Sequence, residues 1–123
     1  MPVNPTGRDL KRLLAEDTDP PSPIAMLNLL RFKEGGRPDY EEYARRIAPF
    51  LERVGGEMLY VGDASTSLVA PDGWDWDVLL VVRYPSRRAF CDMVADEEYQ
   101  QITGLRTGAV EEAVLQATVP WSA

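Results

Sequence analysis

Asn28 is the side chain whose setting in this sequence points most directly to chemistry. It interrupts an apolar run at residues 24–32, and a buried amide without a hydrogen-bond partner costs on the order of 1 to 3 kcal/mol. Strand alternation places Asn28 on one face with Met26 and Leu30, and we expect Trp76 beside that face. The pattern predicts an apolar pocket in which Asn28 and Trp76 contact a ligand. The alternative is that Asn28 bonds a neighbouring backbone group or a buried water.

Two charged side chains, Asp77 and Arg83, stand in a second apolar run at residues 75–84. They are about 20 Å apart at the rise of a strand, so they cannot pair with each other. A structural salt bridge is one role for each, with Arg31 or a residue across a dimer axis as the partner. In an enzyme, Asp77 is the candidate general base, because it is the acid of an apolar strand. Arg83 is then a candidate ligand contact.

Tyrosine hydroxyls and one further arginine complete the candidate site. The phenols of Tyr40 and Tyr60 can orient a carbonyl or phenolate group and are candidate ligand contacts. Tyr40 and Tyr43 also fall on the apolar stripe of a predicted helix, where core packing is the alternative role. Arg106 follows a predicted helix end and can reach back toward the sheet, either to a ligand or to a structural partner.

Residues that hold metals are scarce. The chain has no histidine and one cysteine, Cys91, so neither a zinc cluster nor an internal disulfide is expected, and a haem would need an axial ligand other than histidine. Asp72, Asp75 and Asp77 are spaced like oxygen ligands, but the tryptophans between them do not fit a calcium loop. We therefore expect no metal and no cofactor.

The spacing of apolar residues predicts the helices and strands that carry these side chains: a period of two indicates a strand and a period of about 3.6 indicates a helix. A helix is predicted to begin at Asp39 as its N-cap, to kink at Pro49 and to end before Gly55. The predicted order is a helix from Thr6, a strand at 24–33, a helix at 39–54, strands at 57–61 and 75–84, a helix at 87–95 capped by Ser86, a short helix ending near 104, and a strand at 114–119.

This order predicts an α+β domain at residues 24–123 with the ferredoxin-like βαββαβ arrangement and one antiparallel sheet. Residues 1–23 form an N-terminal helical arm and a proline-rich linker. Both main helices cover the same sheet face, while the other face still carries apolar residues such as Leu79 and Val81. We therefore expect a homodimer that closes a dimeric α/β barrel through this face.

Composition limits the partners. Thirteen basic and 20 acidic residues give a net charge of −7, which disfavours nucleic acid and anionic membrane surfaces. The apolar runs are too short to cross a bilayer, and no charged leader precedes an apolar segment. The expected location is cytoplasmic.

A set of motifs resembles the family catalogued as domain of unknown function 1330, in the dimeric α/β-barrel superfamily. The motifs are residues 26–32, Tyr40, Gly55–Gly56, Trp76–Asp77, residues 84–87, and Glu98–Tyr99 with Arg106. The resemblance covers residues 24–118 and implies the ferredoxin-like fold and the dimer. Superfamily relatives include cofactor-free monooxygenases, isomerases, lyases and haem enzymes, so the resemblance implies no single reaction.

Three hypotheses of function follow. The first is a small-molecule pocket that turns over an apolar or aromatic compound without a cofactor. The second is a non-catalytic ligand-binding or structural dimer, favoured if Trp76, Phe50 and Phe90 fill the space under the helices. The third is an interaction module that binds a partner through its arm, favoured if the leucines of the arm helix stay exposed.

Overall fold

The computed structural model describes residues 3–121, which form four helices and four strands. In chain order they are α1 (Gly7–Ala15), β1 (Ile24–Phe32), α2 (Arg37–Arg53), β2 (Glu57–Asp63), β3 (Val78–Tyr84), α3 (Arg87–Ala95), α4 (Glu97–Ala109) and β4 (Val110–Thr118). From β1 onward this is the predicted ferredoxin-like order, with the second helix divided into α3 and α4.

The strands form one antiparallel sheet in the order β2, β3, β1, β4. Asn28 in β1 lies between Leu80 of β3 and Leu115 of β4. The α+β class and the antiparallel ferredoxin-like sheet predicted from the sequence are confirmed.

Helices α2, α3 and α4 contribute to a core against one face of the sheet. On β1 this face carries Met26 and Leu30, and on β3 it carries Val78, Leu80 and Val82, all of them buried. The alternate residues point to the opposite face, as the two-residue period of a strand requires. No described helix covers that opposite face around Leu79 and Val81.

Helix α2 begins two residues earlier than the sequence predicts. Its N-cap is Gly36, which makes no side-chain cap, and Pro38 lies in the first turn, where the missing amide hydrogen costs no bond. Asp39 lies in the first turn instead of capping the helix. Gly36 itself packs so closely on the backbone of Ala109 that a Cβ atom would clash there.

Helix α4 continues past the predicted end near Gly104 to Ala109, and β4 then begins at Val110 instead of residue 114. Tertiary packing accounts for the difference, because Tyr99, Arg106 and Ala109 are buried along this helix. Burial of these side chains outweighs the roughly 1 kcal/mol that a glycine costs within a helix.

Strand β3 begins at Val78 and not at residue 75. One carboxylate oxygen of Asp77 accepts the amide of Phe32 at 2.8 Å, a donor that the ladder between β1 and β3 would otherwise use. The amide of Asp77 donates to the carbonyl of Leu30 at 2.8 Å. Asp77 therefore ends the ladder.

Two predicted helix starts are confirmed. Thr6 and Asp9 form a capping box at α1, and the Ser86 hydroxyl accepts the amide of Ala89 at 3.0 Å at α3. Such caps satisfy amides that have no partner within the helix.

Helix α1 lies on the domain. Leu10 and Leu13 are partly buried against the core, and Arg87 lies 3.7 Å from Glu16 in an ion pair. The arm leucines are therefore not the exposed stripe that the interaction hypothesis requires. Within residues 3–121, no helix has both the length and the apolar character needed to cross a membrane.

Candidate functional site

A cavity of about 300 Å³ lies between the helices and the covered face of the sheet. Apolar side chains supply most of its wall, among them Met26, Leu80, Val82, Phe90, Met93 and Leu115. Its size and apolar lining are those of a small-ligand pocket. The side chains beneath the helices therefore leave space that the structural-dimer hypothesis expects to be filled.

Asn28 lines this cavity from the centre of the sheet. Its Nδ2 donates to the carbonyl of Met26 at 3.3 Å, which is longer than the usual distance for such a bond. No hydrogen bond from residues 3–121 reaches its Oδ1. Asn28 thus makes one weak bond to the backbone and keeps its carbonyl oxygen free for another group.

Four tyrosines line the same cavity: Tyr40, Tyr43, Tyr84 and Tyr99. Tyr40 and Tyr43 come from α2, with ring centroids 5.5 Å apart, and the Tyr43 and Tyr99 hydroxyls lie 2.7 Å apart in a buried hydrogen bond. Burial raises the pKa of Tyr40 to about 12. Burial also raises the pKa of Tyr43 well above its usual value. Near neutral pH these two phenols are protonated and act as donors rather than bases.

Arg106 brings a positive charge to the cavity. Its side chain is only 6% exposed. Nη1 donates to the carbonyl of Val3 and to Oδ1 of Asn4, the latter at 2.6 Å, and the Asn4 amide donates to the hydroxyl of Thr107 at 2.7 Å. Nη2 is buried without a hydrogen-bond partner among the described residues.

Two helices, one strand and the N-terminal segment bring these groups together. Tyr40 and Tyr43 are three residues apart on α2, and Tyr99 and Arg106 are two turns apart on α4, so each pair shares one helix face. The N-terminal segment at Asn4 contributes to the wall, while β1 supplies Asn28. The structure therefore brings together three of the predicted ligand contacts, Asn28, Tyr40 and Arg106.

The other predicted site residues lie elsewhere. Trp76 and Tyr60 line a separate depression of about 210 Å³, which also includes Leu29 and Leu79 of the uncovered sheet face. Tyr60 is 57% exposed. Trp76 is therefore not beside Asn28. The hydrogen-bonded ladder ends at Asp77, so the alternation of side chains between the two sheet faces along β3 does not extend to Trp76.

Asp77 and Arg83 do not line the cavity either. The Asp77 carboxylate is bonded to the backbone amide of Phe32. Arg31 forms an ion pair with Glu112, and its guanidinium also lies over the ring of Trp76 at 5.9 Å, so it is not the partner of Asp77. The predicted base does not lie with Asn28, Tyr40 and Arg106 in the cavity.

Sequence reasoning left Tyr99 and Asn4 out of the candidate site. Tyr99 precedes Arg106 by seven residues, a spacing that places both on one helix face if the helix continues through Gly104. Ending that helix near Gly104 hid the relation. Asn4 reaches the cavity from a segment distant in sequence, and no local pattern indicates such a contact.

The arrangement can bind, orient and donate hydrogen bonds. Its polar groups include hydroxyls, amides and a guanidinium, and no aspartate, glutamate or cysteine is among the lining residues. In the part of the chain that the structure describes, no three histidine, cysteine or carboxylate side chains form a group suited to a metal ion. The cavity is thus an apolar chamber with several donors and one cation.

Comparison with known families gives one match. The model of the family described as domain of unknown function DUF1330 matches residues 30–118. None of the curated proteins matches the chain.

Solved structures share the fold. The RPA0582 protein of unknown function from Rhodopseudomonas palustris is 30% identical, with a TM-score of 0.87 and 98% of each chain covered. A dabb family protein with a ferredoxin-like fold from Mesorhizobium loti is 11% identical, with a TM-score of 0.60 over 81% of this chain and 98% of that one. SnoaB, a cofactor-independent oxygenase from Streptomyces nogalater, is 13% identical, with a TM-score of 0.59 over 83% and 96%.

Proposed function

Because this chain belongs to the DUF1330 family, which is defined only as a domain of unknown function, we propose a function from the geometry of its own cavity. The protein binds one small apolar or aromatic molecule between the helices and the sheet of each subunit. The observation that carries this proposal is the convergence of Asn28, Tyr40 and Arg106 on an otherwise apolar cavity of about 300 Å³.

The contacts of these polar groups support binding more than structural support alone. A structural polar group in a core is normally satisfied by its neighbours. Here one nitrogen of Arg106 has no partner among the described residues, and Asn28 makes a single long bond. Groups left in this state cost stability unless a ligand or a solvent molecule satisfies them.

Turnover of the bound compound without a cofactor is a second candidate function. The observation that favours it is the Tyr43–Tyr99 pair. Two hydroxyls carry two protons and their mutual bond uses one, so the pair keeps one O–H for a substrate oxygen. The fold is shared with a protein named as a cofactor-independent oxygenase, which supports the architecture but assigns no reaction.

The double variant Tyr43→Phe with Tyr99→Phe removes both hydroxyls of the pair and separates turnover from binding. If the pair donates to a reacting oxygen, product formation measured by mass spectrometry falls about 100-fold or more, while binding of the compound is retained. Equal product formation by the variant and the wild type would leave a binding protein without this step.

We also propose that two copies pair through the uncovered sheet face. Leu79 and Val81 lie on this face, and Trp74 and Tyr60 beside it are substantially exposed. An apolar sheet surface that no described helix covers is typical of an interface.

The test of the binding proposal is a thermal-shift screen with small apolar and aromatic compounds. Ligand binding raises the melting temperature of the wild type in proportion to occupancy. Val82→Phe places a ring into the cavity and should abolish the shift. Val61→Phe is the matched control, because Val61 is exposed on the edge strand and does not line the cavity.

Circular dichroism checks that each variant is folded, and Leu115→Phe serves as a second cavity-filling variant if Val82→Phe is not. The proposal is supported if a compound raises the melting temperature of the wild type and of Val61→Phe, and does not raise that of either cavity-filling variant. Equal shifts in the wild type and a folded cavity variant would place the binding site elsewhere and overturn it.

A further inference from the structure

We infer that the ligand of the cavity is an organic carboxylate with an apolar body, held through its anionic head by Arg106. This inference rests on the proposed function and names its ligand class. Arg106 is buried, no described acid lines the cavity, other donors remain there, and the cavity is small.

The guanidinium of Arg106 is unusually placed for a structural arginine. It is 94% buried, yet both identified acceptors, the Val3 carbonyl and Asn4 Oδ1, are uncharged and bond the same nitrogen, Nη1. Buried charges are normally paired with an opposite charge or fully hydrogen-bonded. Arg106 meets neither condition, because Nη2 has no partner in residues 3–121.

Several other arginines of this chain, all more exposed than Arg106, are paired with a carboxylate. Arg31, Arg37 and Arg53 each lie within 4 Å of a carboxylate. No described carboxylate forms an ion pair with Arg106, and none lines its cavity. The protein has seven more acidic than basic residues. The cavity around the buried Arg106 nevertheless has no aspartate or glutamate among the described residues of its lining.

The remaining donors suit a carboxylate. An Arg Nη2 presents two N–H groups, and the Tyr43–Tyr99 pair retains one O–H. A carboxylate has two oxygens with about four acceptor sites, so it can accept from both sources. A phosphate carries more charge and more acceptor oxygens, and the cavity offers neither a second cation nor a glycine-rich loop.

The N-terminal segment holds the guanidinium in place. Asn4 accepts from Nη1 of Arg106 and donates to Thr107, one residue further along α4. These bonds hold Nη1 and leave Nη2 without a partner in residues 3–121. Asn4 is therefore a positioning residue, and the rest of the wall limits the ligand body to a small apolar group.

The test compares acids with their neutral isosteres on the chain of residues 1–123. Calorimetric titrations measure phenylacetate against phenylacetamide and hexanoate against hexanamide. A charge-assisted hydrogen bond is worth roughly twice a neutral one, so each acid should bind the wild type about 10-fold or more tightly than its amide. Phenyl phosphate is a third probe.

Variants assign the preference to Arg106. Arg106→Gln should reduce the affinity for the acids about 10-fold or more and leave that for the amides within about threefold. Arg106→Lys keeps the charge and should retain part of the preference. Arg46→Gln is the control, since Arg46 is exposed on α2, pairs with Glu42 and lines no part of the cavity.

Equal binding of acids and amides by the wild type would overturn the carboxylate assignment while leaving the cavity proposal intact, and tighter binding of phenyl phosphate would replace it with a phosphate. Failure of all probes to bind at millimolar concentration would also overturn the carboxylate assignment. The thermal-shift screen with the cavity-filling variants then tests the binding proposal separately. If Arg106→Gln does not fold, the acid-to-amide ratio of the wild type and of Arg106→Lys still decides.

Discussion

Asn28 and Arg106 are both incompletely hydrogen-bonded at the wall of one cavity. The Tyr43 and Tyr99 hydroxyls bond each other at 2.7 Å, and the Asp77 carboxylate, outside the cavity, is bonded to a backbone amide. Asn28 makes one bond at 3.3 Å and Arg106 leaves Nη2 unpaired among the described residues. Both residues line one cavity. A ligand bound there can form the missing hydrogen bonds and so offset the free energy that these unpaired groups cost the protein.

Asn28→Leu tests how much the protein itself depends on the amide. The substitution is close to isosteric and removes one long hydrogen bond, so we expect the free energy of unfolding to change by less than about 1 kcal/mol. Urea denaturation measures the change. Leu80→Ala is the control that shows the assay detects core damage, with an expected loss of roughly 2 to 5 kcal/mol. A loss above about 2 kcal/mol for Asn28→Leu would indicate a closed polar network and count against the pocket.

Sequence alone identified Asn28, Tyr40 and Arg106 as candidates because each is a polar type in an apolar or helical pattern. It grouped them wrongly with Trp76 and Tyr60, which lie at the other sheet face. The alternation of side chains predicts the sheet face of a residue only within a strand, and the hydrogen-bonded ladder between β1 and β3 ends at Asp77. The Asp77 bond to Phe32 depends on tertiary geometry that no local pattern contains.

At the scale of elements, α4 decides whether the site exists. If the helix ended near Gly104, Tyr99 and Arg106 would not share one face. The sequence predicted all of the main helices and strands, because apolar periodicity and caps are local signals. It placed the ends of α4 and β4 wrongly, because packing of Tyr99 and Ala109 against α2 overrides the low helix propensity of glycine.

The junction between β3 and α3 is a structural element and not part of the ligand site. The Ser86 hydroxyl satisfies the amide of Ala89, so Ser86→Ala should lower the free energy of unfolding by about 0.5 to 2 kcal/mol. Ligand affinity should not change. Ser65→Ala, in an exposed loop, is the control and should be neutral. A melting temperature equal to that of the wild type, together with lost ligand binding, would contradict the capping role.

At the scale of the whole molecule, the sheet has one covered and one uncovered face. The covered face holds the cavity, and the uncovered face carries Leu79 and Val81 with Tyr60 and Trp74 beside them. A monomer with this surface would expose a contiguous apolar patch to water, which is unfavourable. The two faces therefore serve different purposes in the proposed account, ligand binding and pairing.

The pairing proposal predicts the mass of the protein in solution. Light scattering at tens of micromolar should give twice the mass of one chain, and Val81→Asp should shift the protein to the monomer, because a charge on this face cannot be buried unpaired. Leu68→Asp, at an exposed loop position, should remain a dimer. A wild type that is monomeric at this concentration, with normal stability, would contradict the proposal that two copies pair through the uncovered sheet face.

Methyl NMR can locate the proposed small molecule between the helices and the sheet. Met26, Met58 and Met93 all line the cavity, while Leu68 and Val69 lie in an exposed loop. With ¹³C-labelled methyl groups and a compound that raises the melting temperature, we predict shift changes at the three methionines and none at the loop methyls. Changes confined to methyl groups outside the cavity, with the three methionines unaffected, would contradict the account.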